Sequence, residues 1–260
     1  MNDDDSRTDG GARHSGLPVV GSSPGANLSA DDAAFLEAPR EVSSREFLRA
    51  MLGDERETVA RMIVEDDRVL RSRDVAGASA IQLAVYHGLD EMLGILLRAE
   101  QPLDLWEAAA VGDGEQVALA LADDGDRLAR TSGDGFPALA LAAWFGREEV
   151  VDLLLARGAD PRQTAENPTL VQPLHSALGH RDLAVGERIA RRLLAAGADV
   201  EAVQAGGFRP LHTAAARGSA ALVQLLLESG AQADVETDLG LRPQDFAEER
   251  GHLAVLALLG

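Results

Sequence analysis

The sequence predicts an all-α solenoid of stacked helix-turn-helix units with hairpin finger loops. Three observations carry that expectation. The stretch Gly207 to Gly230, GFRPLHTAAARGSAALVQLLLESG, reads as two short helices and a stop. Weaker copies of it recur on both sides at a period of about 33 residues. Aromatic residues are only 3% of the chain and Ala and Leu dominate its 46% apolar content. That suits thin helical layers better than one large core.

Within the block, Pro210 fits the first turn of a helix, where a missing N–H costs nothing. Leu211, Ala214 and Ala215 place small and apolar groups on one face. Gly218 breaks that helix after about two turns. A second helix follows through Leu222, Val223, Leu225, Leu226 and Leu227, and Gly230 fits the left-handed position that ends helices. Neither helix is long enough to be stable alone in water. Each pair must bury its apolar face on neighbouring pairs.

The copies supply those neighbours. Gly158-Ala159-Asp160 and Gly197-Ala198-Asp199 match Gly230-Ala231-Gln232, each after a leucine run. Pro173-Leu174-His175 matches Pro210-Leu211-His212. The expected mid-unit glycines are Gly53, Gly88, Gly112, Gly146, Gly218 and Gly251. A period near this length with a P-L-H motif and two helices resembles the ankyrin repeat family over residues 44–260, strongly in the last four units and more weakly in the first three.

Composition bounds the function. The chain has no cysteine, so disulfides, thiolate metal sites and a cysteine nucleophile are excluded. All 24 basic residues are arginine and the net charge is −19. That charge opposes phosphate backbones and anionic lipid and attracts a basic protein partner, although a solvated acidic surface gives the same composition. No stretch approaches the roughly 18 apolar residues of a membrane span, and the amino terminus lacks the pattern of a secretory signal. The expected compartment is the cytoplasm, and the expected state is a monomer.

Taken in order, residues 1–43 carry Asp3, Asp4 and Asp5, scattered Gly and Ser, and few apolar groups, and read as a disordered acidic tail. Its net charge is −5 of the chain's −19, which leaves −14 on the repeat domain, 44–260. Ser29 to Ala38 has a weak capping box before Phe35 and Leu36, which suits either a helix docked on the first unit or a linear motif. Unit one has helices through Phe47, Leu48 and Met51, then Val59, Met62 and Ile63, and serves as a cap. Unit two begins near Asp74 and Gly77 and has Ala80-Ile81-Gln82-Leu83-Ala84 in the P-L-H-x-A place. Unit three starts at Leu105 without the long hairpin loop. Unit four opens on the Asp134-Gly135 turn. Unit five carries four extra residues, in its helices or in the turn from Gly179 to Gly186. Unit six is the opening block, and unit seven is the second cap.

Motifs for catalysis are missing: no P-loop, H-E-x-x-H or G-x-S-x-G run occurs. Asp123, Asp124 and Asp126 cluster without the pattern of a calcium loop. No enzyme, metal or cofactor is expected. The resemblance implies that His175 and His212 are structural, bonding to neighbouring loops, although Gln172 and Arg209 replace the usual Thr before Pro. It also implies that the two residues before each mid-unit glycine lie on the concave face. Here these include Tyr86, His87, Val111, Trp144, Phe145 and Arg217. Aromatics and Arg dominate binding hot spots, so this column is the expected partner-binding surface, with Trp144 and Phe145 either exposed there or packed into the core. Phe136 and Phe208, in the fingers, are expected to pack. The function implied is a non-enzymatic protein-protein interaction module. The alternative is a dedicated inhibitor or immunity-type protein masking one enzyme or toxin.

Overall fold

Short amphipathic helices separated by left-handed turns can only stack, and the structure, a computed structural model, shows that outcome. It describes residues 42–99 and 101–260, and the expected tail up to residue 41, with its Ser29–Ala38 motif, lies outside them. Among the described residues there are fourteen helices and no strand. In chain order they are α1 (Val42–Leu52), α2 (Arg56–Glu65), α3 (Ala80–Tyr86), α4 (Asp90–Leu97), α5 (Leu105–Val111), α6 (Gly114–Asp123), α7 (Ala138–Trp144), α8 (Glu148–Ala156), α9 (Pro173–Gly179), α10 (Leu183–Ala195), α11 (Pro210–Ala216), α12 (Ala220–Glu228), α13 (Pro243–Glu249) and α14 (Leu253–Leu259). The first helix α1 starts at Val42, just inside the stretch read as tail.

The helices form two rows. The odd-numbered helices pack in sequence, α1 on α3 through to α11 on α13, and each also packs on its own even-numbered partner. The odd row is the tighter layer because its residues are small: Ala108, Ala109, Ala142, Ala143, Ala177, Ala214 and Ala215 are buried beside Leu139, Leu174 and Leu211. In the even row Leu154, Ile189, Leu193, Leu222 and Leu226 are fully or almost fully buried. Burying such a side chain contributes about 1.5–3 kcal/mol, and the interfaces between units are where these chains are buried.

Left-handed glycines punctuate the stack as expected at Gly88 (φ 64°), Gly146 (φ 70°), Gly218 (φ 70°) and Gly251 (φ 70°). Two positions differ. In unit one the left-handed residue is Asp54 (φ 55°), one past the expected Gly53. Aspartate tolerates this conformation, and Arg56 Nε donates to its Oδ1 at 2.9 Å. In unit three Gly112 directly follows α5 and the turn to α6 is one residue shorter than in unit two. Val111, and not Ala110, therefore takes the last helical position that Tyr86 holds in unit two. The four extra residues of unit five lie in α10, which has 13 residues against 9 in α8 and 9 in α12; the turn is not lengthened.

The finger loops close at their bases through isolated bridges, Arg73 to Ser79, Thr131 to Pro137 and Gln204 to Phe208. Backbone hydrogen bonds link successive fingers: Glu166 N–H to Gly135 O at 2.8 Å, Ala205 N–H to Thr169 O at 3.0 Å, and Asp238 N–H to Gly206 O at 3.0 Å. Unit three has no finger, so the fingers of units two and four meet directly. Gly77 and Gly133 touch so closely that a methyl group on either would overlap the backbone of the other. Phe136 and Phe208 are buried, at 8% and 6% exposure, as expected of packing residues.

Candidate functional site

The column expected to bind a partner sits where the odd-numbered helices end. In an ordinary stack each end would be screened from the unit after next. Here unit three is thin, and Tyr86 reaches across it. Its ring stacks on Phe145 with centroids 5.6 Å apart and planes 12° from parallel. Its hydroxyl donates to Asp134 Oδ2 at 2.6 Å. Burial, then the Asp134 charge, push the Tyr86 hydroxyl well above its ordinary pKa, so it remains a donor. The open stripe expected at this point is therefore closed: Tyr86 is buried, and Phe145 is half-buried against it. A charge-assisted bond of this kind is worth roughly 1.5–3 kcal/mol.

Trp144 is half-buried. One edge of its ring lies on Gly179, where a methyl group would overlap Cζ3. A glycine at the end of α9 thus provides the seat for the tryptophan of the preceding unit. His87 and Val111 are half-buried in the same column. The structure brings Tyr86, Val111, Phe145 and the finger of unit four into one joint and places Trp144 on the next.

Arg217 is not a free surface cation. Its Nη1 donates to Gly179 O at 2.6 Å and its Nη2 to Arg181 O at 3.2 Å, where helix α9 ends and leaves carbonyls without intrahelical donors. The same device recurs. Arg147 Nε donates to Ala110 O at 2.9 Å, and Arg250 Nη1 to Ala216 O at 3.0 Å. Burial pushes the pKa of both Arg147 and Arg217 down. These carbonyl contacts of Arg147, Arg217 and Arg250 escape the motif reading. The signal that could have found them is the arginine next to Gly146, Gly218 and Gly251.

The two P-L-H histidines have the structural role implied for them. Nδ1 of His175 accepts the Gln172 N–H at 3.1 Å, and its Nε2 pairs with Ala202 O of the next finger at 3.1 Å. His212 repeats this with the Arg209 N–H at 3.0 Å and Leu241 O at 3.2 Å. With Nδ1 accepting, Nε2 must carry the proton, so both rings are held neutral. Burial lowers the His175 pKa from 6.5 to about 4, and lowers that of His212 as well.

Among the described residues no cluster of three or more His, Asp or Glu could hold a metal ion, and no helix is long and apolar enough to cross a membrane. Comparison with known proteins bears on the same units. Residues 134–166 match the family model for an ankyrin repeat, and residues 174–227 the model for ankyrin repeats in many copies. No curated protein matches the chain. The matches fall on units four to six, and the same pairing of short helices continues through the rest of the stack; the chain is an ankyrin repeat protein.

Proposed function

We propose that the chain is a non-enzymatic module that binds a protein partner on the concave face made by the odd-numbered helices and the fingers. Ankyrin repeats are generally protein-protein interaction modules. The observation that carries the finer reading is the half-buried pair Trp144 and Phe145, part of whose surface stays open, with His87 and Val111 beside it. Tyr86 and Arg217 act here as supports that fix the surface, Tyr86 by stacking under Phe145 and Arg217 by holding the end of α9 under Trp144. The net charge of −19 draws a partner of net positive charge into encounter and disfavours nucleic acid and anionic membranes. The module acts as a monomer in the cytoplasm.

The test is an affinity capture with wild type beside a Trp144→Ala, Phe145→Ala double variant, the fold being checked by circular dichroism. A partner held by wild type and lost from the folded double variant is expected. Unchanged interactions with an intact fold would sink the proposal. The backbone bonds between fingers favour a second reading. A pre-organised surface loses little entropy on binding, which suits a dedicated inhibitor or immunity-type protein masking one enzyme or toxin. A tight one-to-one complex supports that reading, and many weak partners count against it.

A further inference from the structure

The apolar core runs along the stack with one break. From Leu105 in α5 to Val255 in α14, the buried apolar side chains of units three to seven form one connected cluster. Those of units one and two form another, in which Phe47, Leu48, Met51 and Val59 join Ile81, Leu83, Met92 and Leu96. The two clusters do not merge. Among the described residues, Leu103 and Trp106, both partly buried, are the side chains that pack on each of them.

The even row shows the same break. Its consecutive helices pack on one another at every other boundary, but α4 and α6 make at most a glancing contact. This is the boundary of unit three, the unit without a finger. In the odd row α3 still packs on α5. Beyond unit two the first cluster takes in Ala110, Phe136, Leu141 and Ala165, on α5, α7 and the fingers. The directional contacts across the gap gather at Tyr86. Its ring stacks on Phe145, its hydroxyl donates to Asp134 at 2.6 Å, and Gln82 reaches the same carboxylate at 3.4 Å. Arg73 also pairs with Asp104 at 3.2 Å, but an exposed pair of that kind contributes little.

The stability of a stack is close to the sum of what each unit contributes and what each interface between neighbours contributes. Such an array divides where an interface is weakest, and the parts on either side open as separate cooperative units.

We propose that units one and two, α1 to α4, form a block that opens cooperatively ahead of units three to seven, with Tyr86 as the latch that holds it closed. Tyr86 and His87 lie on this block, while Val111, Trp144 and Phe145 lie on the body of the stack. Opening takes the Tyr86 ring from under Phe145 and divides the binding column in two. A protein partner that needs both halves binds the closed state and shifts the block toward it. That coupling rests on the interaction-module reading; the block itself rests on the core and the even row.

The experiment is hydrogen exchange of the full chain, read by mass spectrometry with no partner present. Peptides from α1 to α4 should share one opening constant, at least about tenfold larger than that of α5 to α12, with a step between α4 and α5. Tyr86→Phe keeps the ring and removes the hydroxyl. It should speed exchange in α1 to α4 by about tenfold or more and leave α8 to α12 unchanged. A smooth gradient from the first unit inward, or equal protection on both sides of the boundary, overturns the block. An equal effect of Tyr86→Phe on every helix, or no effect on α1 to α4, overturns the latch and the proposal with it. Because no partner is used, either failure would leave the interaction module standing.

Discussion

Lowering the pH should unlock the stack at His175. The ring is 4% exposed and bridges two units as a neutral imidazole. Its pKa falls from 6.5 to about 4 in the folded chain because burial disfavours the cation. Between these values the unfolded chain binds the proton and the folded chain does not, so stability falls as pH drops through that window. At about pH 5 the loss is about 2 kcal/mol, and near pH 4.5 about 2.5 kcal/mol, from this one group. Every carboxylate titrates as well, so wild type alone cannot isolate the effect. His175→Gln can, because an amide accepts and donates on the same two sides and carries no charge at any pH. Urea midpoints of both proteins, measured from about pH 7 to 4.5, give a difference in which the carboxylates cancel. Wild type should be the more stable at pH 7 and lose its advantage, or fall below the variant, as the pH drops. A difference that stays constant within about 0.5 kcal/mol would refute the reasoning, since His175 would then protonate equally in both states.

Two further substitutions test the packing and the fingers. Leu193→Ala or Leu226→Ala should cost roughly 2–5 kcal/mol in urea unfolding, because each side chain is fully buried between units. A loss below about 0.5 kcal/mol at both would place the repeat register elsewhere. Leu170→Gly should raise stability by roughly 0.5–1 kcal/mol. Leu170 has φ 54° at the finger position where the other four fingers have the left-handed glycines Gly77, Gly135, Gly207 and Gly240. Destabilisation by the change would mean that its side chain, 48% exposed, packs well enough to outweigh the strain.

The architecture is legible in the sequence because it is local. A proline opening a helix, an apolar face and a closing glycine lie within one unit, and repetition turns a weak signal into a strong one. What lies between units is less so. The left-handed residue of unit one and the last helical residue of unit three each sit one place past Gly53 and Ala110, where glycine spacing puts them. In unit one the left-handed residue is Asp54, and in unit three the left-handed Gly112 opens a turn one residue shorter, and a period read from glycines registers neither. The missing finger of unit three is visible as a short spacing, but its consequence is not. That Tyr86 would stack on Phe145 and bond Asp134 needs the knowledge that two fingers close over the gap. Arg217 reads as a surface cation because a sequence does not show which carbonyls are left over at the end of the helix before it.

These cross-unit contacts also bear on how such a surface is kept rigid. A stack held only by apolar faces lets each unit slide or rock on the next, since hydrophobic contact is non-directional. Directional bonds at the ends of the odd-numbered helices remove that freedom. Arg147 ties unit four to unit three, Arg217 ties unit six to unit five, and Arg250 and His252 tie unit seven to unit six through Ala216 O. His175 and His212 do the same at the opposite ends, through the fingers. Unit five reaches unit four without such an arginine, through His180 on Gly146 and Trp144 on Gly179. In the second row the same boundary is crossed by ion pairs, where Arg188 and Arg192 of α10 meet Glu148 of α8, so the two rows of units four and five are held by different chemistry, ring packing in one and charge in the other.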